Sequence, residues 1–274
     1  MWQYKTTIAV VLLPYLIQHD KEGFQMENIK QGYHLVWEDN FNYEGTPDPN
    51  KWNYDLGNHQ WANREFQAYT NRPSNVYVKD GKLTIKAIKE QDGEREYTST
   101  RLVTYGKQSW QYGLFEFRVK LPKGKGSWPA VWMLSDAIKT GTPWPRSGEI
   151  DIIEHAGKKE NELFFSLHSE RHNHTRKDTK QYTVFKDFDG VCEEFHDYMM
   201  EWTPEFIEFY VDGESACRFN KNDDTEDQTE SSWPFDQPFY LIFNIAVGGN
   251  LGGPVDESAL PFIMEVEHVR VYQK

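Results

Sequence analysis

Short runs of alternating apolar and polar residues recur along the chain, and turn-forming residues separate them. Residues 112–121 (YGLFEFRVKL) alternate in this way and end at Pro122. Residues 75–88 hold two such runs joined by Asp80-Gly81, which is a typical hairpin turn. Alternation with a period of two is typical of a β-strand with one buried face. Further strand-like runs lie at 149–154, 162–168, 198–219, 239–247 and 263–272.

The same pattern gives little indication of helices. No long stretch has the 3.6-residue period of an amphipathic helix, and no internal repeat or Pro-rich linker divides the chain. Many evenly spaced strands without helices are typical of an antiparallel sandwich or barrel. We therefore predict an all-β fold.

Composition and charge narrow the class of partner. The chain contains 10 Trp, 15 Tyr and 17 Phe, a density that suits a large core together with flat surfaces for ring-shaped ligands. Its formal net charge of −13 argues against nucleic acid, because phosphate binding depends on clustered Lys and Arg. We expect a monomer that binds a neutral polymer such as a glycan, with no nucleic-acid or membrane partner.

The first 30 residues are predicted to be a leader ahead of a single domain at 31–274. Residues 7–17 form an apolar run after one Lys, as in a secretory signal, but the run is too short to span a bilayer and lacks a typical cleavage site. Alternatively, Lys21-Glu22-Gly23 can be encoded by a ribosome-binding sequence just before the codon for Met26. A start at Met26, which we prefer, predicts a cytoplasmic protein; a true signal predicts a secreted one.

Residues 148–157 (GEIDIIEHAG) place three carboxylates in one predicted strand. Because side chains alternate faces, Glu149 and Asp151 share a face opposite two isoleucines, whereas Glu154 is out of phase by one residue. A β-bulge at Ile152-Ile153 would return the third acid to that face, and bulges are enriched beside active sites. A solvent-facing edge strand is the alternative, but the apolar opposite face and the tryptophans nearby favour the floor of a sugar-binding site.

Three aligned carboxylates suggest a specific chemistry. Two carboxyl groups about 5–5.5 Å apart suit a retaining glycosidase, in which one attacks the sugar and the other exchanges a proton. Asp151 between the two glutamates raises the cost of full ionisation, so the cluster should share protons and titrate as a unit. This keeps one glutamate protonated near neutral pH, as a general acid requires. The pattern alone does not say which glutamate attacks.

The stretch WPRSGEIDIIEH resembles the E-x-D-x-x-E signature of glycoside hydrolase family 16, in its laminarinase-like branch; the lichenase branch lacks the extra residue. The resemblance covers nearly all of residues 34–273 and includes WQYGLFEFRVKLP, GSWPAVWML and WPFDQPFYLIFNIAVGGN. It implies a jelly-roll β-sandwich of two curved antiparallel sheets with a concave substrate cleft. It also implies retaining endo-hydrolysis of β-1,3-glucosidic bonds in laminarin-type glucan, with mixed 1,3-1,4 glucan as a further substrate.

The resemblance also implies roles for individual residues. Glu149 is similar in position to the nucleophile, Glu154 to the acid/base, and Asp151 to the residue that assists the nucleophile. The substrate-binding positions that it implies are Asn63, Arg101, Trp110, Trp128, Trp132, Trp144 and His168. Asn63 and Trp110 match the glycone side of the cleft, although Trp110 could equally belong to the core.

No cofactor is required for this chemistry. Many relatives bind a structural calcium ion away from the cleft, and the resemblance implies such a site at Glu38, Gly81 and Glu267. Residues 168–177 contain three histidines, but we expect a surface loop there, because their spacing is not that of a metal motif.

Two alternatives remain open. The same fold and mechanism can act on lichenan, agarose or carrageenan, although a sulfated substrate calls for basic cleft residues and Arg101 is the main one implied. A non-catalytic β-glucan-binding protein is the second alternative. Such a protein should lack one or both glutamates of the acidic strand, and this chain has both.

Overall fold

Two sheets of mainly antiparallel strands pack face to face in the computed structural model of the protein, which describes residues 26–59 and 61–274. Strands are numbered β1 to β17 in chain order. The outer sheet contains β1 His34–Asp39, β3 Gln67–Tyr69, β4 Val76–Lys79, β5 Lys82–Asp92, β6 Arg95–Ser99, β8 Gly113–Lys120, β13 His196–Trp202, β14 Phe206–Val211, β15 Glu214–Asn220 and β17 Phe262–Gln273. The inner sheet contains β2 Asn53–Tyr54, β7 Arg101–Val103, β9 Ser127–Ser135, β10 Glu149–His155, β11 Glu162–His168, β12 Tyr182–Asp187 and β16 Phe239–Val247.

Strands that are distant in sequence are neighbours in both sheets. The inner sheet runs β12-β11-β10-β9-β16-β7-β2, and the outer sheet runs β15-β14-β13-β8-β17-β5-β6-β3, with β1 paired to β17 and β4 to β5. Within the residues that the structure describes, the helical segments are short: residues 26–29, Gly249–Gly252, and the 3-10 turns Asp136–Thr140 and Glu257–Ala259. The prediction of an all-β sandwich is confirmed. Within the described part of the chain, no helix is long and apolar enough to cross a membrane.

The core lies between the two sheets, and sequence alternation decides which side chains enter it. In β8, Phe115, Phe117 and Val119 are fully buried in the main hydrophobic cluster. In β11, Leu163 and Phe165 enter the same cluster. Burial of each such side chain contributes about 1.5–3 kcal/mol, so the alternating pattern fixes the face on which each strand packs.

The segment before β1, around residues 30–33, packs on the outward face of the outer sheet. Lys30 Nζ donates to Glu116 Oε1 over 2.8 Å, and Tyr33 donates to Glu201 Oε1 over 2.8 Å. Burial acts to raise the pKa of Glu116, but His268, whose Nε2 lies 3.8 Å away, and the hydrogen bond from Lys30 outweigh it and lower that pKa to about 2. Residue 30 is therefore tied to the sandwich, whereas most of the predicted leader, residues 1–25, lies outside the described residues.

The predicted bulge in β10 is confirmed. Asp151 pairs with Trp132 of β9, and the next paired residue, Ile153, lies opposite Val131, so that Ile152 is extra. The pairing with β11 shifts at the same place. Ile152 and Ile153 are both buried in the core. The third acid of the strand therefore returns to the face of the first two.

Removing one residue from β10 tests the bulge. Deletion of Ile152 should leave the three carboxylates in phase without a bulge, at a loss of about 1–3 kcal/mol in the free energy of unfolding for the buried side chain. Deletion of Ile150 removes an identical side chain. Glu149 and Asp151 then become neighbours in the strand and face opposite sides, so one carboxylate must point into the core whether or not the bulge remains. We expect this second deletion to lower the free energy of unfolding by several kcal/mol more. Urea unfolding compares the two, and equal losses would contradict the assigned bulge.

Candidate active site

A cleft of about 410 Å³ opens on the face of the inner sheet that points away from the core, here called the cleft face. It crosses β7, β16, β9 and β10, and Glu149, Asp151 and Glu154 form part of its floor. The polar and aromatic side chains around them are Trp61, Asn63, Glu65, Tyr69, Arg101, Trp128, Trp132, Trp144, His174, Thr175 and Asn244.

Two indoles hold the outer members of the acidic cluster. Trp144 Nε1 donates to Glu149 Oε2 over 2.9 Å, and Trp128 Nε1 donates to Glu154 Oε1 over 2.9 Å. Asp151 lies between the two glutamates along β10. A donor at each end fixes the side-chain conformation of each glutamate and favours its ionised form.

Burial dominates the electrostatics of the cluster. Burial, followed by the charge of Asp151, raises the pKa of Glu149 to about 8. Burial, followed by the charge of Glu154, raises the pKa of Asp151 well above its ordinary value. Burial also raises the pKa of Glu154, although the bond from the Trp128 indole acts in the opposite direction. The three carboxyl groups therefore do not all ionise near neutral pH, and the cluster retains protons as a unit.

A histidine on β11 faces the acids. His168 Nε2 lies 3.3 Å from Asp151 Oδ2 and 3.8 Å from Glu149 Oε1. Strand alternation places it on the cleft face, because Leu163, Phe165 and Leu167 pack into the core. Among the described residues, the ligand atoms of this histidine and these two acids are the ones that converge closely enough to hold a metal ion, within 4.8 Å of one another.

A chain of hydrogen bonds supports the floor on the other side of β10. Trp132 Nε1 donates to Asn244 Oδ1 over 2.6 Å, and Asn244 Nδ2 donates to the Tyr69 hydroxyl over 3.1 Å. Tyr69 in turn donates to Glu65 Oε2 over 3.2 Å. The Trp132 indole is thereby held in place by Asn244 of β16, which is itself bonded to Tyr69 of β3.

Arg101 reaches the cleft from β7. Its guanidinium carbon lies 4.6 Å from the ring centre of Trp132 and 5.1 Å from that of Trp61, as in a cation–π contact. Its Nε donates to Asp55 Oδ2 over 3.2 Å. The one cationic side chain that the described residues place in the cleft lining is thus paired with a carboxylate.

The structure brings most of the predicted substrate-binding residues together. Asn63, Arg101, Trp128, Trp132 and Trp144 line the cleft, and His168 contacts the acids from the neighbouring strand.

The expectation that Trp110 binds substrate is wrong. Its side chain is 3% exposed and belongs to the main core cluster, where it contacts the edges of Trp37 and Phe115 at centroid distances of 5.3 and 5.8 Å. The backbone of Trp110 bridges to Phe239 and directs the indole inward.

The predicted calcium residues do not present a site of free oxygens. Glu267 Oε2 accepts a bond of 2.9 Å from Arg118 Nε, and Glu38 Oε2 lies 3.7 Å from Arg270 Nε. Gly81 lies in the turn between β4 and β5. Calcium needs oxygen ligands that converge on it, and a carboxylate neutralised by arginine does not fit that role. Calcium binding stays a prediction of the family resemblance.

Sequence reasoning missed several cleft residues. Asn244 has a signal, because it is the one polar residue in the strand FYLIFNIAV. His174 and Thr175 lie in an irregular loop, where no alternation marks a face. His172 of the same loop turns away and contacts Asp224 Oδ2 at 2.9 Å, so the three histidines do not form a common site.

Replacing Asp151 by Asn removes one buried charge at nearly constant volume. Because the pKa of Asp151 is raised in the native state, that state binds the proton more tightly than the unfolded chain does, and stability is lost as pH rises above the unfolded pKa of about 4. We expect Asp151→Asn to raise the free energy of unfolding by roughly 1–2 kcal/mol at pH 7 and by less at pH 4. Urea unfolding at both pH values measures this; a destabilised variant at pH 7 would contradict it.

Comparisons with known proteins all point to the same family. The model of glycosyl hydrolases family 16 matches residues 63–259. The beta-glucanase of Rhodothermus marinus is 44% identical over 267 residues, which cover 96% of this chain and 93% of that protein. The glucan endo-1,3-beta-glucosidase A1 of Niallia circulans is 37% identical over 89% of this chain, a match that spans 38% of that longer protein.

A solved structure agrees with these matches. The laminarinase from Rhodothermus marinus superimposes with a TM-score of 0.83 at 46% sequence identity, covering 88% of this chain and 97% of that one. The agreement extends over both sheets and confirms the predicted jelly-roll fold. The chain belongs to glycosyl hydrolases family 16 and is a glycoside hydrolase.

Proposed function

We propose that this enzyme hydrolyses internal β-1,3-glucosidic bonds of laminarin-type glucan with retention of configuration. The observation that carries the proposal is the bulged strand β10, which puts Glu149 and Glu154 on one face of an open, tryptophan-lined cleft. The names of the relatives, a beta-glucanase and a glucan endo-1,3-beta-glucosidase, support β-1,3-glucan as the substrate class.

In the first step, the Glu149 carboxylate attacks the anomeric carbon of the sugar on the glycone side. The bond from that carbon to the glycosidic oxygen breaks, and Glu154 gives its proton to the departing oxygen. The products are a glycosyl ester on Glu149 and a shortened glucan with a new hydroxyl group. The Trp144 indole holds the attacking carboxylate through its 2.9 Å hydrogen bond.

In the second step, the ionised Glu154 takes a proton from water as the water oxygen attacks the anomeric carbon. The ester bond breaks, and Glu149 leaves as a carboxylate. Two inversions at the same carbon restore its original configuration. Both glutamates return to their starting protonation states.

Asp151 and His168 assist without touching the bond that breaks. Asp151 is the carboxyl group closest to His168, and its pKa is raised by burial and then by the charge of Glu154. A protonated Asp151 beside Glu149 stabilises the ionised nucleophile, and charge repulsion between the two acids is avoided. His168 completes the polar surroundings of this pair from β11.

The lining of the cleft favours a neutral glucan over a sulfated polysaccharide. Flat indole faces suit the apolar faces of sugar rings, whereas sulfate groups require cations that are free to bind them. Arg101 is already paired with Asp55. The release of reducing ends from laminarin, lichenan, agarose and carrageenan, assayed side by side, tests the choice. We expect laminarin to be cleaved fastest; binding of laminarin without any release would support the non-catalytic alternative instead.

Azide distinguishes the roles of the two glutamates. In Glu149→Ala, azide replaces the missing nucleophile and should yield an α-glycosyl azide from a β-linked aryl substrate. In Glu154→Ala, the ester still forms from an activated substrate, and azide should yield the β-glycosyl azide. Without azide, each variant should lose roughly 10²–10⁴-fold in kcat on laminarin. Proton NMR identifies the products. If Glu149→Ala gave the β-azide and Glu154→Ala gave the α-azide, the roles of nucleophile and acid/base would be reversed. Glu208→Ala, on the outer sheet, is the matched control and should keep its activity.

The pH profile tests the coupling within the cluster. Glu149 attacks only as a carboxylate, so kcat/KM should rise along the acid limb of the profile as this group loses its proton. Burial and then the charge of Asp151 raise the pKa of Glu149 to about 8, and Asp151→Asn removes the second cause. The acid limb should therefore move to lower pH by roughly one unit. An acid limb that stays in place would contradict the coupling of Glu149 to the charge of Asp151.

A further inference from the structure

Aromatic rings continue the row of Glu154 across the far side of the inner sheet. Phe164 of β11 pairs with Glu154, and Phe185 of β12 pairs with Phe164. The two rings meet edge to face, with centroids 5.0 Å apart and an interplanar angle of 65°. Phe164 is 4% exposed, whereas Phe185 is 61% exposed. The outer ring is thus largely open to solvent, two strands away from the strand of the proposed acid/base.

These two rings are outside the hydrophobic core. Leu163, Phe165 and Leu167 of β11 pack into the main core cluster, so the residues between them point to the cleft face. Phe164 and Phe185 are members of neither core cluster. Of the exposed large apolar side chains in the described residues, Phe185 has the largest exposed fraction, and it lies on the cleft face.

A row of hydroxyl groups runs beside the two rings. Asp151 pairs with Ser166 of β11, and Ser166 pairs with Thr183 of β12. Both residues therefore lie on the cleft face, one step along the strands from the phenylalanines. Ser166 is 2% exposed, so Thr183, which is partly exposed, is the one whose hydroxyl is open to a ligand. An apolar surface flanked by hydrogen-bonding groups matches a pyranose unit, which has an apolar ring face and hydroxyls at its edge.

The position relative to β10 indicates which part of a glucan would lie there. Asn63, Arg101 and Asn244 lie on the β9, β16 and β7 side of the acids. Phe185 is on the opposite side, two strand spacings or about 10 Å from β10. A glucan that extends past the acid/base on this side of β10 would lie towards β11 and β12, and in the proposed mechanism this is the part that departs when the bond breaks.

We propose that Phe164 and Phe185 form a platform for the leaving-group end of the glucan, with Phe185 stacking on a glucosyl unit beyond the one next to Glu154. The inference rests on the proposed glucanase function and adds a binding site to it. The platform increases the share of cleavage events that release longer leaving oligosaccharides, because it holds those units before the bond breaks.

Cleavage of laminarihexaose labelled at its reducing end tests the platform in the enzyme. In Phe185→Ala, we expect the preferred bond to move towards the reducing end, so that shorter labelled products are released. The ratio of kcat/KM for laminarihexaose to kcat/KM for an aryl β-laminaribioside should fall roughly tenfold, since the phenol ends short of Phe185. Phe185→Trp should restore both quantities. Leu35→Ala, which truncates an exposed apolar side chain on the outer sheet, is the control and should change neither.

The product pattern does not depend on the amount of folded enzyme. Phe185→Leu keeps apolar contact with Phe164 but removes the flat face. We expect it to shift the product pattern as Phe185→Ala does. An active wild type whose product pattern is unchanged in both variants would overturn the platform alone. An equal loss of kcat/KM on both substrates, with the pattern unchanged, would also overturn it. A wild type inactive on every β-glucan would overturn the proposed function and the platform together.

Discussion

The active site depends on a single constraint, the two-residue period of a β-strand. Three acids can share the cleft face of β10 only if their spacing fits that period, and the interval from Asp151 to Glu154 does not. The extra Ile152 absorbs the mismatch, because both isoleucines of the bulge can be buried in the core at once. The core therefore accepts an irregular strand, and the cleft gains a third carboxylate.

A buried glutamate and a half-buried one show how partners decide the charge of a carboxyl group. Glu116 on the outer sheet is 3% exposed, yet the nearby His268 and the hydrogen bond from Lys30 outweigh burial and lower its pKa to about 2. Glu149 on the inner sheet accepts one neutral indole bond and lies beside Asp151, and its pKa is raised to about 8. The first glutamate stabilises the packing of the chain around residue 30. The second is left short of cations, and this keeps it within reach of protonation near neutral pH.

The sequence alone predicted those features that depend on strand alternation or on a sequence motif. The phase of Glu154 predicted the bulge, and alternation in β11 predicted that His168 faces the cleft. The location of Trp110 was not predictable, because indoles occur in the core and the cleft alike and a backbone bridge decides the matter. Strand β12 was not predicted, since a short edge strand between loops carries little pattern. Values of pKa also depend on burial, which only the packed sheets define.

The two sides of β10 use different physics to hold sugar. On the β9 side, Trp132 is held by Asn244, which is bonded in turn to Tyr69. A sugar that binds there meets a fixed indole and polar groups in defined positions. On the β11 side, the exposed ring of Phe185 offers a flat apolar surface with few bonds to satisfy. Rigid polar contacts orient the sugar that reacts, whereas stacking tolerates movement and lets a product slide away. This asymmetry suits an enzyme that must hold the glycosyl unit through two steps and release the other part after the first.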